Sequence, residues 1–325
     1  MKYELASLSA VGGRSNNQDR VAHAERENAV LMAVADGLGG HAGGDLAAEA
    51  LTQTAVNAFH RIKQPLITQP SAFLALTILQ AHNAIIQYAR AHDPDLLPRT
   101  TCVLCLVQAG YAYWAHVGDS RLYHFRGDKL LRRTLDHTAT ERLREDGVIT
   151  EEEMLSHPEK SRLLKCVGGP QKPSISLGGE APLQRGDTLL LCSDGVWEAF
   201  AETELGHYLT YDSLDEGIEE MVIEAEHRRA EACDNMSAVC LRWCDHAPRN
   251  LPLQANPALN VDQDALWEIA KNKMLAQKAQ LNTLAGKRSG VSSNRKSRIV
   301  SKDKKKSLKG ELEELENFIK KLEDK

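Results

Sequence analysis

The sequence predicts an α+β fold built on antiparallel sheets. Three observations carry this. Strand-like apolar runs cluster apart from the helical segments. Neighbouring strand runs are joined by turns too short for a crossover helix. Several strands run directly into an aspartate. Alternating βαβ units would interleave the two textures, and this chain does not.

Residues 3–10 roughly alternate in polarity and predict a strand. A polar turn, Gly12-Gly13-Arg14-Ser15-Asn16-Asn17-Gln18-Asp19, follows. Residues 29–35 are a continuous apolar run ending at Asp36, the pattern of a strand buried on both faces. A glycine-rich stretch leads into Ala-rich helical sequence over 45–62. A second helix is predicted over 71–91, stopped by Pro94 and Pro98. Residues 101–107 and 111–117, joined by Gln108-Ala109-Gly110, predict a hairpin, and 121–125 with 129–133 predict another around Gly127-Asp128. Residues 137–165 are polar and helical, an excursion from the sheet. A buried strand at 188–192, a helix at 214–229 and a last strand at 236–242 complete a body spanning 1–245.

Beyond it the composition changes. Pro248, Pro252 and Pro257 mark a linker over 246–261. Residues 262–286 predict a helix with acids at its start and Gly286 at its end. Residues 287–307 are basic and Ser-rich, the composition of a flexible linker. In 308–325, Leu308, Leu312, Leu315, Ile319 and Leu322 form a heptad-like apolar stripe. That amphipathic helix suits self-association or a partner, or folds back on the body; two heptads are short for a stable coiled coil.

The net charge is −5. From Lys287 onward 13 Lys and Arg stand against 7 Asp and Glu, a local +6 that leaves −11 on the rest. An acidic body concentrates cations and gives no reason to expect nucleic acid. The seven cysteines are an odd number, several within apolar runs, and read as buried reduced thiols. Cys102 and Cys105 have zinc-like spacing, but three residues apart on a strand they point to opposite faces. The N-terminus shows no secretory signal and no window is long and apolar enough to span a bilayer, so a cytoplasmic protein is expected.

The chemistry lies in acids placed at strand ends: Asp36, Asp194 and Asp119 follow apolar runs, Asp234 precedes one, and Asp19 follows the first strand. Any one of these is an ordinary turn residue. Five together, with few Lys or Arg nearby, call for a hard divalent cation, because a buried carboxylate needs a counter-charge and such ions prefer oxygen. Glycines after Asp36 and Asp194 are expected to leave room for carbonyls and waters. Arg14, in the loop with Asp19, has the fork geometry to grip a phosphate. His41, near a helix start, sits where the helix dipole helps it give up a proton.

Arg14-x-x-Asn17-Gln18-Asp19, Asp36-Gly37-Leu38-Gly39-Gly40-His41, Thr100-Thr101, Gly118-Asp119-Ser120-Arg121, Asp136-His137-Thr138, Ser193-Asp194-Gly195 and Asp234-Asn235 occur in that order. The set resembles the metal-dependent protein phosphatases of type 2C, over about residues 3–244. The segment from Leu143 to Gly168 resembles the mobile flap of their bacterial branch. The resemblance implies a sandwich of two antiparallel β-sheets flanked by α-helices. It implies hydrolysis of phosphoserine and phosphothreonine in proteins by a metal-activated water, opposing a Ser/Thr kinase. Two Mn2+ or Mg2+ ions are implied, with a third, weaker one. Asp36 would bridge the two ions. Asp194 and Asp234 would complete the first site, the Gly37 carbonyl and the Asp19 region the second, and Asp119 with Asp194 the third. Arg14 would bind phosphate and His41 protonate the leaving oxygen. Two positions depart from the pattern: Gln18 stands where some relatives have Glu, and Arg99 where Gly usually precedes Thr-Thr. The competing readings are a pseudophosphatase that binds phosphoproteins, which the full set of aspartates disfavours, and a hydrolase of small phosphate esters.

Overall fold

The computed structural model describes residues 1–38, 43–93, 96–160, 162–230 and 233–246. His41 and the expectations for the linker, helices and basic stretch beyond residue 246 lie outside them.

Strands β1 (Tyr3–Ala10), β2 (Arg20–Arg26), β3 (Ala29–Ala35) and β4 (Gly37–Leu38) precede helices α1 (Gly44–Arg61) and α2 (Pro70–His92). Then come β5 (Arg99–Thr100), β6 (Cys102–Gln108), β7 (Tyr111–Val117), β8 (Arg121–Arg126) and β9 (Lys129–Arg133). The excursion holds α3 (Ala139–Glu145) and α4 (Glu151–Ser156), followed by β10 (Val167–Gly168), β11 (Ser176–Leu177) and β12 (Ala181–Pro182). Last are β13 (Asp187–Cys192), α5 (Asp194–Trp197), α6 (Glu202–Tyr208), α7 (Leu214–Arg229) and β14 (Met236–Trp243).

Two antiparallel sheets form the sandwich. One runs β1-β14-β13-β8-β9 and the other β11-β7-β6-β3-β2, with β12 also on β7. The period of two along each strand divides the core into three layers. Val30, Met32 and Val34 of β3 meet Leu189, Leu191 and Val239 between the sheets. The alternate residues Leu31, Ala33 and Ala35 pack under α1 and α2. On the outer face of the other sheet, Leu190, Cys192, Ala238 and Cys240 pack under α5 to α7. Runs with no polar alternation thus become strands covered on both sides, and all seven residues of β3 are buried. Cys102 belongs to the helix-side layer and Cys105 to the layer between the sheets. All seven cysteines are free thiols.

Local signals set the helix starts. Pro70 occupies the first turn of α2, where its missing N–H costs nothing. Thr138 caps α3, and Thr150 with Glu153 forms a capping box on α4. The predicted excursion is therefore two short helices. It is pinned back to its own base by Ala139 N–H donating to Arg162 O and Leu164 N–H to His137 O. Strand β2 was not legible as a strand, because neither of its faces is clearly apolar; of its seven residues only Ala24 is buried. Among the described residues no helix is long and apolar enough to cross a membrane.

Antiparallel pairing decides where the acids go. Arg20 pairs with Ala35, Cys102 with Val117, Cys192 with both Arg121 and Ala238, and Ala10 with Met236. The ends of β1, β3, β7 and β13 and the starts of β2, β6, β8 and β14 therefore share one edge of the sandwich. Asp19, Asp36, Asp119, Asp194 and Asp234 all lie within two residues of those points.

Candidate active site

That edge opens as a cleft of about 320 Å3, lined by Arg14, Gln18, Asp36, Gly37, Asp119, Leu163, Asp194, Asp234 and Asn235, among others. Of the predicted site residues in the described part of the chain, Asp19 alone does not line it. Asp19 is 2% exposed and sits directly behind, with Oδ2 accepting from Ser193 Oγ at 2.6 Å. It follows β1 and its turn, immediately before β2.

A web of short-range bonds holds the acids. The carbonyl of Asp36 accepts from Thr101 N–H and Thr100 Oγ1, each at 2.8 Å, while its N–H donates to Thr101 Oγ1 at 2.9 Å. Asn235 Oδ1 accepts from Gln18 N–H at 2.8 Å, and its Nδ2 donates to the carbonyls of Val11 and Asn16. Ser193 Oγ, besides donating to Asp19, accepts from Ser237 N–H. The indole of Trp197 donates to the carbonyl of Asp119 at 2.9 Å. Sequence reasoning gave Ser193, Asn235 and the Thr pair no role. Their signal was weak: short polar residues beside each acid, in a chain whose strands are otherwise apolar.

The glycines allow close backbone approach. A Cβ on Gly37 would come within 2.4 Å of the Gly44 backbone, and one on Gly195 within 2.1 Å of the Asn235 carbonyl. Gly37 also lines the cleft.

Electrostatics set the cleft apart. Burial and the neighbouring Asp194, Asp19, Asp119 and Asp234 hold the Asp36 carboxyl well above the usual range. Asp194 is raised likewise, by burial and then by Asp119, Glu198, Asp234 and Asp19. Asp119 is pushed to about 7, chiefly by burial and Asp136, and Asp19 to about 6, chiefly by burial. Among the described residues the one basic side chain lining the cleft is Arg14, whose Nη2 donates to Asp234 Oδ2 at 2.7 Å. That pair is exposed, at 61% and 40%, so it is weakly held and leaves guanidinium donors turned to solvent.

Among the described residues no three His, Cys, Asp or Glu side chains close on a single point as a ready metal cage. An oxygen-liganded ion of the Mg2+ type draws much of its shell from waters and carbonyls. The donor set itself fits such ions: the acidic oxygens of Asp36, Asp119, Asp194 and Asp234, with Asp19 behind them, and no soft ligand among the described lining residues.

Acids gathered at one sandwich edge beside a guanidinium fork are a set suited in chemistry to divalent ions and phosphate. The protein phosphatase 2C family profile matches residues 9–233, and the chain belongs to that family. It is 32% identical over 198 residues to the serine/threonine phosphatase stp of Listeria monocytogenes, spanning 60% of this chain and 78% of that one. The serine/threonine phosphatase of S. agalactiae superposes with a TM-score of 0.67 at 27% identity, covering 75% of this chain and 100% of that one. The catalytic domain of the phosphatase PstP in complex with two manganese ions superposes at 0.62 with 25% identity, over 75% of this chain and 99% of that one.

Proposed function

We propose that the chain hydrolyses phosphoserine and phosphothreonine in proteins at a centre of two Mn2+ or Mg2+ ions held by the acidic cleft, opposing a Ser/Thr kinase. The observation that carries this is the gathering of Asp36, Asp119, Asp194 and Asp234 on one cleft, with Arg14 the only basic side chain among the described residues that line it.

Asp36, central among the acids, would hold both ions. Asp194 and Asp234 would help hold the first, and the Gly37 carbonyl with the Asp19 region the second. Asp119 with Asp194 suits a third, weaker ion. When bound, such ions supply Lewis-acid charge at the phosphoryl oxygens and acidify a water toward neutrality. The chain's own residues do the rest. Arg14 turns its fork onto two phosphoryl oxygens and fixes the phosphate for in-line attack. Ser193, Thr100, Thr101 and Asn235 keep the acids in place through the bonds above. His41 gives a proton to the leaving Ser or Thr oxygen, which leaves poorly without one. His41→Ala is expected to slow alkyl phosphates about a hundredfold and aryl phosphates much less; equal losses would refute that role.

The deciding experiment is phosphate release from phospho-Ser, phospho-Thr and phospho-Tyr peptides and from small phosphate esters, with Mn2+ and with a chelator. Chelator-sensitive cleavage of the Ser and Thr peptides is expected. Binding without release would favour the pseudophosphatase, and faster cleavage of metabolite esters than of peptides would move the substrate class.

A further inference from the structure

A second groove, of about 540 Å3, lies beside the acidic cleft and is lined by Leu38, Arg99, Leu163, Lys165, Lys172 and Pro173, among others. Leu38 and Leu163 line both, so the two spaces are adjacent. Their charges are opposite: among the described residues, three basic side chains and no Asp or Glu line the second. Arg99 is exposed, and among the described residues neither Arg99 nor Lys165 forms a salt bridge.

The backbone fixes where Arg99 stands. It pairs with Leu38 on one side and Gly168 on the other. Its neighbour Thr100 pairs with Gly37 and bonds the Asp36 carbonyl. The root of Arg99 is thus one strand step, about 3.3 Å, from a residue that touches the central acid of the cleft. Its side chain runs along Gly169, where a Cβ would meet Arg99 Cδ at 3.3 Å. A larger residue at 169 would crowd the stem that carries the guanidinium into the groove.

We propose that this groove is an anion subsite, in which Arg99 and Lys165 receive a carboxylate or second phosphate on the substrate near the scissile phosphoresidue. The claim rests on the phosphoprotein phosphatase reading and adds to it the sequence context selected. An extended peptide advances about 3.3–3.6 Å per residue, which puts the selected side chain within about three residues of the phosphate. An Arg fork matches carboxylate and phosphate alike. The groove is open to solvent, so the preference is modest and falls with salt.

The test uses the full chain with Mn2+ and three phospho-Thr peptides. One is flanked by Gln, one by Glu, and one by a non-hydrolysable phosphonate in place of a second phosphate. The expected kcat/KM favours the two anionic peptides by about five- to tenfold, and the advantage shrinks in about 0.5 M salt. A preference for Glu alone or for phosphonate alone identifies which anion the groove takes, and either supports it. Arg99→Gln removes most of the preference, and Arg99→Glu turns it toward Lys-flanked peptides. Equal kcat/KM on all three in the wild type overturns the subsite. So does an Arg99→Gln enzyme that keeps the preference, or one that loses all three peptides alike, which marks a structural role. An aryl phosphate, too small to reach the groove, reports the chemistry separately. If neither it nor any peptide is hydrolysed, the phosphatase reading fails. Peptide binding by fluorescence anisotropy then judges the groove, and equal Kd values overturn it.

Discussion

Asp136 is a buried carboxylate and Asp36 a half-buried one, and the chain treats them in opposite ways. Asp136 receives Arg121 in a two-pronged bond, Nε at 2.8 Å and Nη2 at 2.7 Å. Arg121 in turn lies 3.4 Å from the ring centroid of Trp197 and donates to the Tyr123 hydroxyl. Asp187, fully buried, is matched by Arg126 and His124, which hold its carboxyl below the usual range despite burial. Asp36 has Asp194, Asp19, Asp119 and Asp234 for neighbours and is pushed the other way. The two regions touch, since Trp197 carries the stacked Arg121 and bonds the Asp119 carbonyl. Arginine was available at that point, and it was spent on Asp136. Where the chain leaves acids unmatched, the compensating charge must come from outside, which is how a fold keeps a place for a cation.

The comparison breaks most visibly at Asp36. Asp36→Asn is expected to lower Mn2+-dependent phosphate release by about a thousandfold or more, as loss of several kcal/mol of transition-state stabilisation requires. In chelator the same variant should melt no lower than the wild type, because one repelling charge has gone. Near-normal turnover would remove the cleft from the chemistry.

Asp136→Asn sharpens the contrast from the other side. It strands the Arg121 charge in a site where both side chains are almost fully enclosed. A cost of about 3–5 kcal/mol in urea unfolding is expected, with or without divalent ions. A loss below about 1 kcal/mol would mean that the buried pair is not what separates the two regions.

The apolar frame of this contrast was legible in the sequence, and its polar detail was not. Residues 29–35 and 188–192 announced strands buried on both faces, and each ran into an acid that the structure places at one sandwich edge. Hairpin turns at Gly110 and Gly127 gave the antiparallel neighbours. Strand β2 escaped because its burial is partial and its pattern mixed. Which acids would be matched by arginine was hidden for another reason. Arg121 lies two residues after Asp119, yet its guanidinium turns to Asp136, a choice fixed by tertiary geometry and not by spacing. The glycines were recognised, but the close approach of Gly37 to Gly44 was hidden, since it depends on a partner the local sequence does not reveal.

Arg14 should behave as a cleft residue and not as a structural partner. Its pair with Asp234 is exposed, so Arg14→Ala is expected to change stability by less than about 1 kcal/mol. The loss of a two-pronged phosphate contact should lower kcat/KM by about ten- to a hundredfold. A stability loss as large as that of Asp136→Asn would place Arg14 in the matched network.

The gentlest test is the pH dependence of the chelated protein. Asp119 and Asp19 are raised from 3.8 to about 7 and about 6. Between pH 4 and those values the folded chain keeps protons that the unfolded chain has released, so stability falls as pH rises through that window. Each retained proton contributes at most about 1.4 kcal/mol per pH unit. Asp187 works in the opposite sense: its lowered pKa contributes stability above pH 3.8 that is lost on acidification. Buried His82, His116 and His137, whose pKa values are lowered by burial, add stability as pH rises toward 6.5 and offset the cleft acids. The cleft acids are therefore read from the difference between urea midpoints with excess Mn2+ and in chelator, which should widen in favour of Mn2+ from pH 5 to 7.5. A difference that stays flat across that range would show that the cleft acids are already matched, and that the two regions do not differ as their partners imply.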